Sequence, residues 1–259
     1  MSLDKFKPKM SQDEDTDDVR KFFDDWGLYW RVVEYDCAGH KEIYGRLNSF
    51  LKQHFPEPFN IIDFGCGDAS YMVRGLAGTR VRKYLGVDIS EVALGLAREN
   101  LEGLGYETGF IRGDYFQIAR EKELGADVIW IGLSFHHLSS GQKREVLGEF
   151  RSILGNAGYL LIFEPMLRGG ETREEFLRRF EKLCRTEWIR LSPQEREATI
   201  EHVISADFPE SIETLKKMAL ENGFFTVRSL CRAGHELFEL VCFSVEPGDA
   251  EILQRFWRL

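Results

Sequence analysis

An apolar run that breaks into two closely spaced glycines, IIDFGCGD at residues 61–68, constrains this chain more than any other stretch. It has the pattern of a buried strand ending in a tight turn. Glycine lets a backbone turn sharply and approach a ligand closely. Ligands of open α/β sheets sit beyond the carboxyl ends of the strands, so the turn Gly65-Cys66-Gly67-Asp68-Ala69 marks a small-molecule site.

Downstream, short apolar runs alternate with amphipathic segments. The pattern predicts strands at 60–64, 83–88, 107–112, 127–133, 158–164, 224–231 and 236–245. Helices are predicted at 69–77, 91–104, 116–123, 139–154 and 211–222, with Ser90 and either Ser139 or Ser140 as N-caps. Runs such as VIWI at 128–131 and YLLIF at 159–163 are apolar on consecutive residues, as strands covered on both faces are. The alternation defines an α/β, doubly wound, Rossmann-like domain. The last two strands have only Ala233, Gly234 and His235 between their cores and read as an antiparallel hairpin.

Two helical stretches interrupt or precede this pattern. Residues 17–58 contain Phe22, Phe23 and Trp26, then Ile43, Leu47, Phe50 and Leu51 at helical spacing, with Gly27 and Gly39 as breaks. Residues 168–210 carry two apolar stripes, Phe176, Leu177, Phe180 and Leu183, then Ile200, Val203 and Ile204. Residues 1–16 are polar and acidic and read as a flexible tail. The remainder, 59–259, forms the main domain, with 168–210 inserted in it.

Composition narrows the function classes. A net charge of −9 argues against a protein that tracks nucleic-acid phosphates. The arginines at 168, 173, 178 and 179 form a local basic patch that this net charge does not exclude. The five cysteines fall in no metal-binding spacing, so no metal site is expected, and they fit reduced thiols in a cytoplasmic protein. No apolar run is long enough to cross a bilayer and the first residues are not a signal peptide.

Asp88 ends the second strand, twenty-one residues after Gly67, where a carboxylate can accept both hydroxyls of a ribose. A nicotinamide dinucleotide would use the same features, but Asp63 and Asp68 put carboxylates where its pyrophosphate would lie. A ligand with a ribose, an ammonium group and a sulfonium meets no such repulsion.

Asp63-x-Gly65-x-Gly67-x-Ala69 resembles the first motif of the class I S-adenosylmethionine-dependent methyltransferases, with Ala69 where a third glycine often stands. GVDIS at 86–90, GDYF at 113–116, SFHHL at 134–138 and FRSILGNAGYLLIFEPM at 150–166 resemble later motifs of the same family, in order. The resemblance implies a seven-stranded sheet with an antiparallel last strand. It implies S-adenosyl-L-methionine as methyl donor and S-adenosyl-L-homocysteine as product. The donor would be held by Asp63, Gly65, Cys66, Gly67, Asp68, Asp88, Ile89, Asp114, Tyr115 and Leu133, with Asp114 on the adenine. In this family N-terminal helices commonly cap the donor. Tyr35 or Tyr44 would then reach its carboxylate, ahead of Arg31 and His40.

Methyl transfer needs a general base only if the acceptor must lose a proton. His136 and His137 follow the fourth strand and have the right chemistry, either as base or acceptor contact, or as packing residues. Glu164 ends the fifth strand and either meets a cationic acceptor or is held by Arg168 or a backbone N–H. No Asn/Asp-Pro-Pro-aromatic motif and no acidic metal ligands follow the fourth strand, which leaves a small-molecule acceptor at N, O, S or C. Residues 168–210 would form its lid. A protein or tRNA methyltransferase and a non-catalytic donor-binding regulator are the alternatives.

Overall fold

The computed structural model describes residues 27–121 and 123–247. The acidic tail, Phe22, Phe23, Trp26 and the C-terminal EILQRFWRL lie outside the described residues. Helix α1 covers 27–34 and α2 His40–His54. Gly27 is already helical. Gly39, in the left-handed region at φ 78, makes the break between the two.

Seven strands run in the order β3-β2-β1-β4-β5-β8-β7. They are β1 (Phe59–Phe64), β2 (Val81–Asp88), β3 (Glu107–Arg112), β4 (Val128–Gly132), β5 (Tyr159–Leu167), β7 (Thr226–Ala233) and β8 (Phe238–Ser244). Neighbours from β3 to β5 pair in parallel, and β8 pairs antiparallel with both β5 and β7. A two-residue β6, Glu210–Ser211, pairs with Met166 and Leu167 at the end of β5. The order reverses between β1 and β4, so their carboxyl ends open the crevice where such sheets bind ligands.

The consecutive apolar residues divide between two faces. Ile61, Trp130, Leu161, Phe163 and Leu240 pack with α2, α3 (Met72–Leu76) and α4 (Glu91–Leu101). Ile62, Ile129, Ile131, Leu160 and Val241 pack with α5 (Tyr115–Glu121), α6 (Ser140–Ile153) and α9 (Ile212–Glu221). Ser90 caps α4 by accepting from the Ala93 N–H at 3.2 Å, and Ser139 with Gln142 forms a capping box on α6.

Residues 69–77 give a shorter helix than the pattern predicts. Ala69 has φ 52, so the turn extends past it and α3 begins only at Met72. The insertion forms a hairpin of α7 (Arg173–Thr186) and α8 (Pro193–Ala206), each opened by a capping box. Phe176, Phe180, Ile200 and Val203 are buried, whereas Ile204 is 48% exposed. Arg31 of α1 pairs with Glu195 of α8, and Arg190 lies 4.0 Å over the Tyr35 ring. These contacts join the N-terminal helices to the inserted hairpin.

Candidate active site

The turn after β1 is built on left-handed backbone at Gly65 (φ 72) and Gly67 (φ 54). A Cβ at Gly65 would stand 2.7 Å from Ser134 Oγ and 2.9 Å from Ser134 Cβ, so the close approach of the post-β4 loop requires glycine. Asp88 holds the turn in place: its Oδ2 accepts from Gly67 N and its Oδ1 from Ser90 N, both at 2.9 Å. One lone pair on each oxygen still faces outward, which suits hydroxyl donors. Sequence reasoning reached Asp88 as a ligand contact but missed its hold on the loop, because the spacing of a carboxylate does not reveal which backbone it faces.

Asp63 is 2% exposed, and its Oδ2 accepts from the Tyr84 hydroxyl at 2.8 Å. Burial outweighs that bond and, with Asp88 nearby, pushes its pKa up to about 7. Burial also raises Asp68, against the Ser70 N–H that its Oδ1 accepts at 3.1 Å. Asp63, Asp68 and the glycines line a small cavity roofed by Tyr29, His40, Tyr44 and Tyr71. A buried and a half-buried carboxylate, both with raised pKa values, favour a cationic ligand group and disfavour a phosphate. Tyr44 is therefore at this cavity, while Tyr35 stacks under Arg190 and is not among its lining residues. Tyr71, at the start of α3, was not singled out from sequence, and Tyr29, one of the aromatic residues of the N-terminal helices, reaches the roof only because α1 folds back over the turn. Arg31 is spent on Glu195, and His40 is buried, with burial lowering its pKa to about 4.

Around the rim, Ile89 is 70% exposed beside Asp88. Asp114 is exposed and caps α5 by accepting from Phe116 N at 2.8 Å. The Tyr115 hydroxyl reaches Ser134 O at 3.5 Å, and Cys66 is buried at the turn. An exposed aliphatic side chain, a carboxylate and a ring form the surroundings that a purine base can use.

A second cavity of ≈ 440 Å³ adjoins the first, and Tyr29 lines both. Its apolar walls include Leu28, Val32, Leu133, Phe180, Trp188 and Phe238. Leu133 adopts φ 54, a strained conformation for a leucine, and is held by Leu133 N donating to Phe163 O at 2.8 Å. One wall is polar: His136, His137, His202 and Asp207. Phe176 remains in the core, while Phe180 and Trp188 reach the cavity.

Glu164 faces neither cavity. Its Oε1 accepts the N–H groups of Ser134 (3.0 Å) and Phe135 (2.9 Å), and its Oε2 accepts that of His136 (3.1 Å). The same Oε2 pairs with His136 Nδ1. Glu164 thus fixes the 3-10 turn Phe135–His137 that follows β4. Arg168 pairs with Glu236 instead. Burial alone would raise the Glu164 pKa, but His136 and the backbone donors bring it below the usual range. Burial alone would lower His136, and the Glu164 carboxylate brings it above its usual value. Burial and the neighbouring His136 push His137 down to about 4. Two members of the basic cluster are held within the fold: Arg173 donates to the Asp207 and Ile204 carbonyls, and Arg179 pairs with Glu171, whereas Arg168 and Arg178 are exposed.

A seven-stranded sheet of this order, with its glycine turn after β1 and a carboxylate after β2, is the class I methyltransferase arrangement. Residues 61–158 match the family model described as a methyltransferase domain. Over this segment and in the order of its sheet the chain is similar to the class I, S-adenosylmethionine-dependent methyltransferases. No curated protein matches the sequence. Among solved structures, an O-methyltransferase family 2 protein from Planctomyces limnophilus, in complex with apigenin, is similar at 16% identity. The match covers 91% of this chain and 63% of that one, with a TM-score of 0.60. An O-methyltransferase family protein from Burkholderia thailandensis matches at 15% identity over 84% and 58% of the two chains, TM-score 0.60. The mitomycin 7-O-methyltransferase MmcR matches at 16% identity over 78% and 53%, TM-score 0.54. The chain thus spans only about half to two thirds of the length of these structures. Among the described residues no helix is long and apolar enough to cross a membrane.

Proposed function

We propose that this protein transfers the methyl group of S-adenosylmethionine to an oxygen of an apolar, ring-sized small molecule. The observation that carries the reading is the ≈ 440 Å³ cavity, apolar except for one histidine-rich wall, that meets the glycine-turn cavity at Tyr29. Its volume lies within the range of small-molecule sites. The similar structures named for O-methylation favour oxygen over nitrogen, sulfur or carbon.

When bound, the donor supplies a sulfonium methyl open to in-line displacement. The residues of the chain would bind and orient. Asp88 accepts the ribose hydroxyls. Ile89, Asp114 and Tyr115 receive the adenine. Asp63, Asp68, Gly65, Gly67 and Tyr44 surround the amino-acid end, beside Cys66. Leu133 and Tyr29 stand between the two spaces and exclude water from the transfer. The acceptor hydroxyl gives up its proton at the polar wall. Its oxygen forms the new bond to carbon, and the electrons of the broken carbon–sulfur bond stay on sulfur. Glu164 acts through His136, by holding its ring, and is a positioning residue.

Calorimetry with S-adenosylmethionine, S-adenosylhomocysteine and nicotinamide dinucleotides tests the donor. One sulfur ligand per chain is expected, and failure to bind either would overturn the proposal. A panel of hydroxylated aromatic compounds, followed by S-adenosylhomocysteine release, tests the acceptor. Donor binding with no turnover on hydroxyl, amine or thiol compounds would instead favour a non-catalytic regulator.

A further inference from the structure

We infer that the polar wall of the large cavity is a binding site for a divalent transition-metal ion of the zinc class, with His136, His137 and Asp207 as its protein ligands. Asp207 is 4% exposed, and its Oδ1 has no hydrogen-bond partner among the described residues. A buried carboxylate oxygen without a partner is costly and calls for a cation or a donor. Three imidazoles surround that oxygen and none is bonded to it. His136 Nε2 stands 3.6 Å away, His137 Nδ1 3.5 Å and His202 Nε2 4.0 Å.

These separations are too long for hydrogen bonds but suit ligands that share an ion. Two atoms each bound at about 2.0–2.1 Å to a tetrahedral zinc lie roughly 3.3–3.4 Å apart. The ligand atoms of His136, His137 and Asp207 all lie within 4.8 Å of one another, so side-chain rotations that draw the farthest together by up to about 1.5 Å would close the site. His137 Nδ1 now also stands 3.3 Å from the Ala206 carbonyl, a contact that metal binding would replace.

The surroundings are those of a built site. His136 Nδ1 is paired with the buried Glu164, which leaves Nε2 as the atom offered to the cavity. A carboxylate on the far nitrogen is the usual outer partner of a metal-ligating histidine. The segments that carry the ligands are pinned together. Phe208 N donates to His136 O at 2.8 Å, and Arg173 Nε donates to Asp207 O at 2.8 Å. The buried ammonium of Lys143 donates to Phe208 O. Two imidazoles and one carboxylate suit zinc, iron(II), cobalt or nickel better than magnesium or calcium. A position left open toward the apolar cavity could bind the acceptor's oxygen and make its proton easier to lose. That role rests on the methyl-transfer reading; the site itself does not.

Tag-free protein, stripped with a chelator, is titrated with Zn²⁺ by calorimetry and with Co²⁺ by visible absorbance. One equivalent should bind, with a d–d spectrum for Co²⁺. Asp207→Asn, which keeps the shape, and His137→Ala, at a 41% exposed side chain, should each weaken Zn²⁺ by at least about ten-fold. Glu164→Gln should weaken it by a similar factor. Absence of stoichiometric binding, or wild-type Zn²⁺ affinity in both Asp207→Asn and His137→Ala, overturns the inference. S-adenosylhomocysteine is titrated into the same samples. Binding of that ligand without Zn²⁺ binding defeats the metal site alone. Zn²⁺ binding without it supports the metal site and defeats the methyl-transfer reading alone.

Discussion

At the residue scale, the glycine turn shows how a ligand site is maintained at a cost to the fold. Asp63 is buried, and burial raises its pKa from 3.8 to about 7. The unfolded chain loses that proton near pH 4, whereas the folded one keeps it until about pH 7. Stability therefore falls as pH rises between these values, and the full loss is present above the folded value. Asp63→Asn removes the charge and should raise the melting temperature of the ligand-free protein by about 9–17 °C at pH 8. The gain should nearly vanish at pH 4, and S-adenosylhomocysteine should no longer bind measurably. Thermal melts at the two pH values check it; an equal gain at both would mean that burial of the charge is not the cause. Gly65→Ala should act in the opposite direction on stability. The new Cβ meets both Oγ and Cβ of Ser134 in a backbone region unfavourable to alanine. A loss of about 1–3 kcal/mol and at least ten-fold weaker donor binding are expected. Adding Ser134→Ala should not rescue it, because the Ser134 Cβ itself is only 2.9 Å away.

At the scale of elements, the parts repeated by local chemistry were legible and those made by distant contact were not. Alternating apolar runs placed the seven main strands to within a few residues, since two-sided burial leaves consecutive apolar residues in the sequence. Ser90 was visible as a cap for the same local reason, as was Ser139 as one of two adjacent candidates with Ser140. The start of α3 was not, because nothing in the residue type announces that Ala69 takes φ 52. The inserted hairpin showed its apolar stripes but not their division between core and cavity. Phe176 and Phe180 look alike in sequence, yet only Phe180 reaches the large cavity, in edge contact with Trp188. Phe180→Leu should therefore raise the acceptor KM roughly ten-fold through lost apolar contact. It should leave the affinity for S-adenosylhomocysteine unchanged, because Phe180 is absent from the glycine-turn cavity. Steady-state kinetics with calorimetry separate the two, and an equal loss in both would place the hairpin on the donor.

At the scale of the whole molecule, the two cavities exist only because segments far apart in sequence meet. A Cβ on Gly39, between α1 and α2, would lie 2.5 Å from the Cβ of Ala233 at the end of β7. Arg31 ties α1 to α8, and Phe208 N ties the chain after α8 to His136. The cluster of His136, His137 and Asp207 belongs to this class: two members are adjacent in a motif, and the third is seventy residues on with no spacing to mark it. The glycine-turn cavity has the same dependence, since Tyr29, His40 and Tyr44 come from the N-terminal helices and Asp63, Gly65 and Asp68 from the sheet end. A ligand that binds across such a junction stabilises the fold that makes it. S-adenosylhomocysteine at one hundred times its dissociation constant should add about 2.7 kcal/mol. For a domain of this size that is a rise of roughly 5–10 °C in melting temperature. Hydrogen exchange locates the effect. Amides in α1, α2 and the 133–138 loop should slow on ligand addition together with those of 63–69, while those of α9, on the opposite face, should not change. Protection confined to 63–90, with α1 and α2 unaffected, would show that the N-terminal helices take no part in holding the donor.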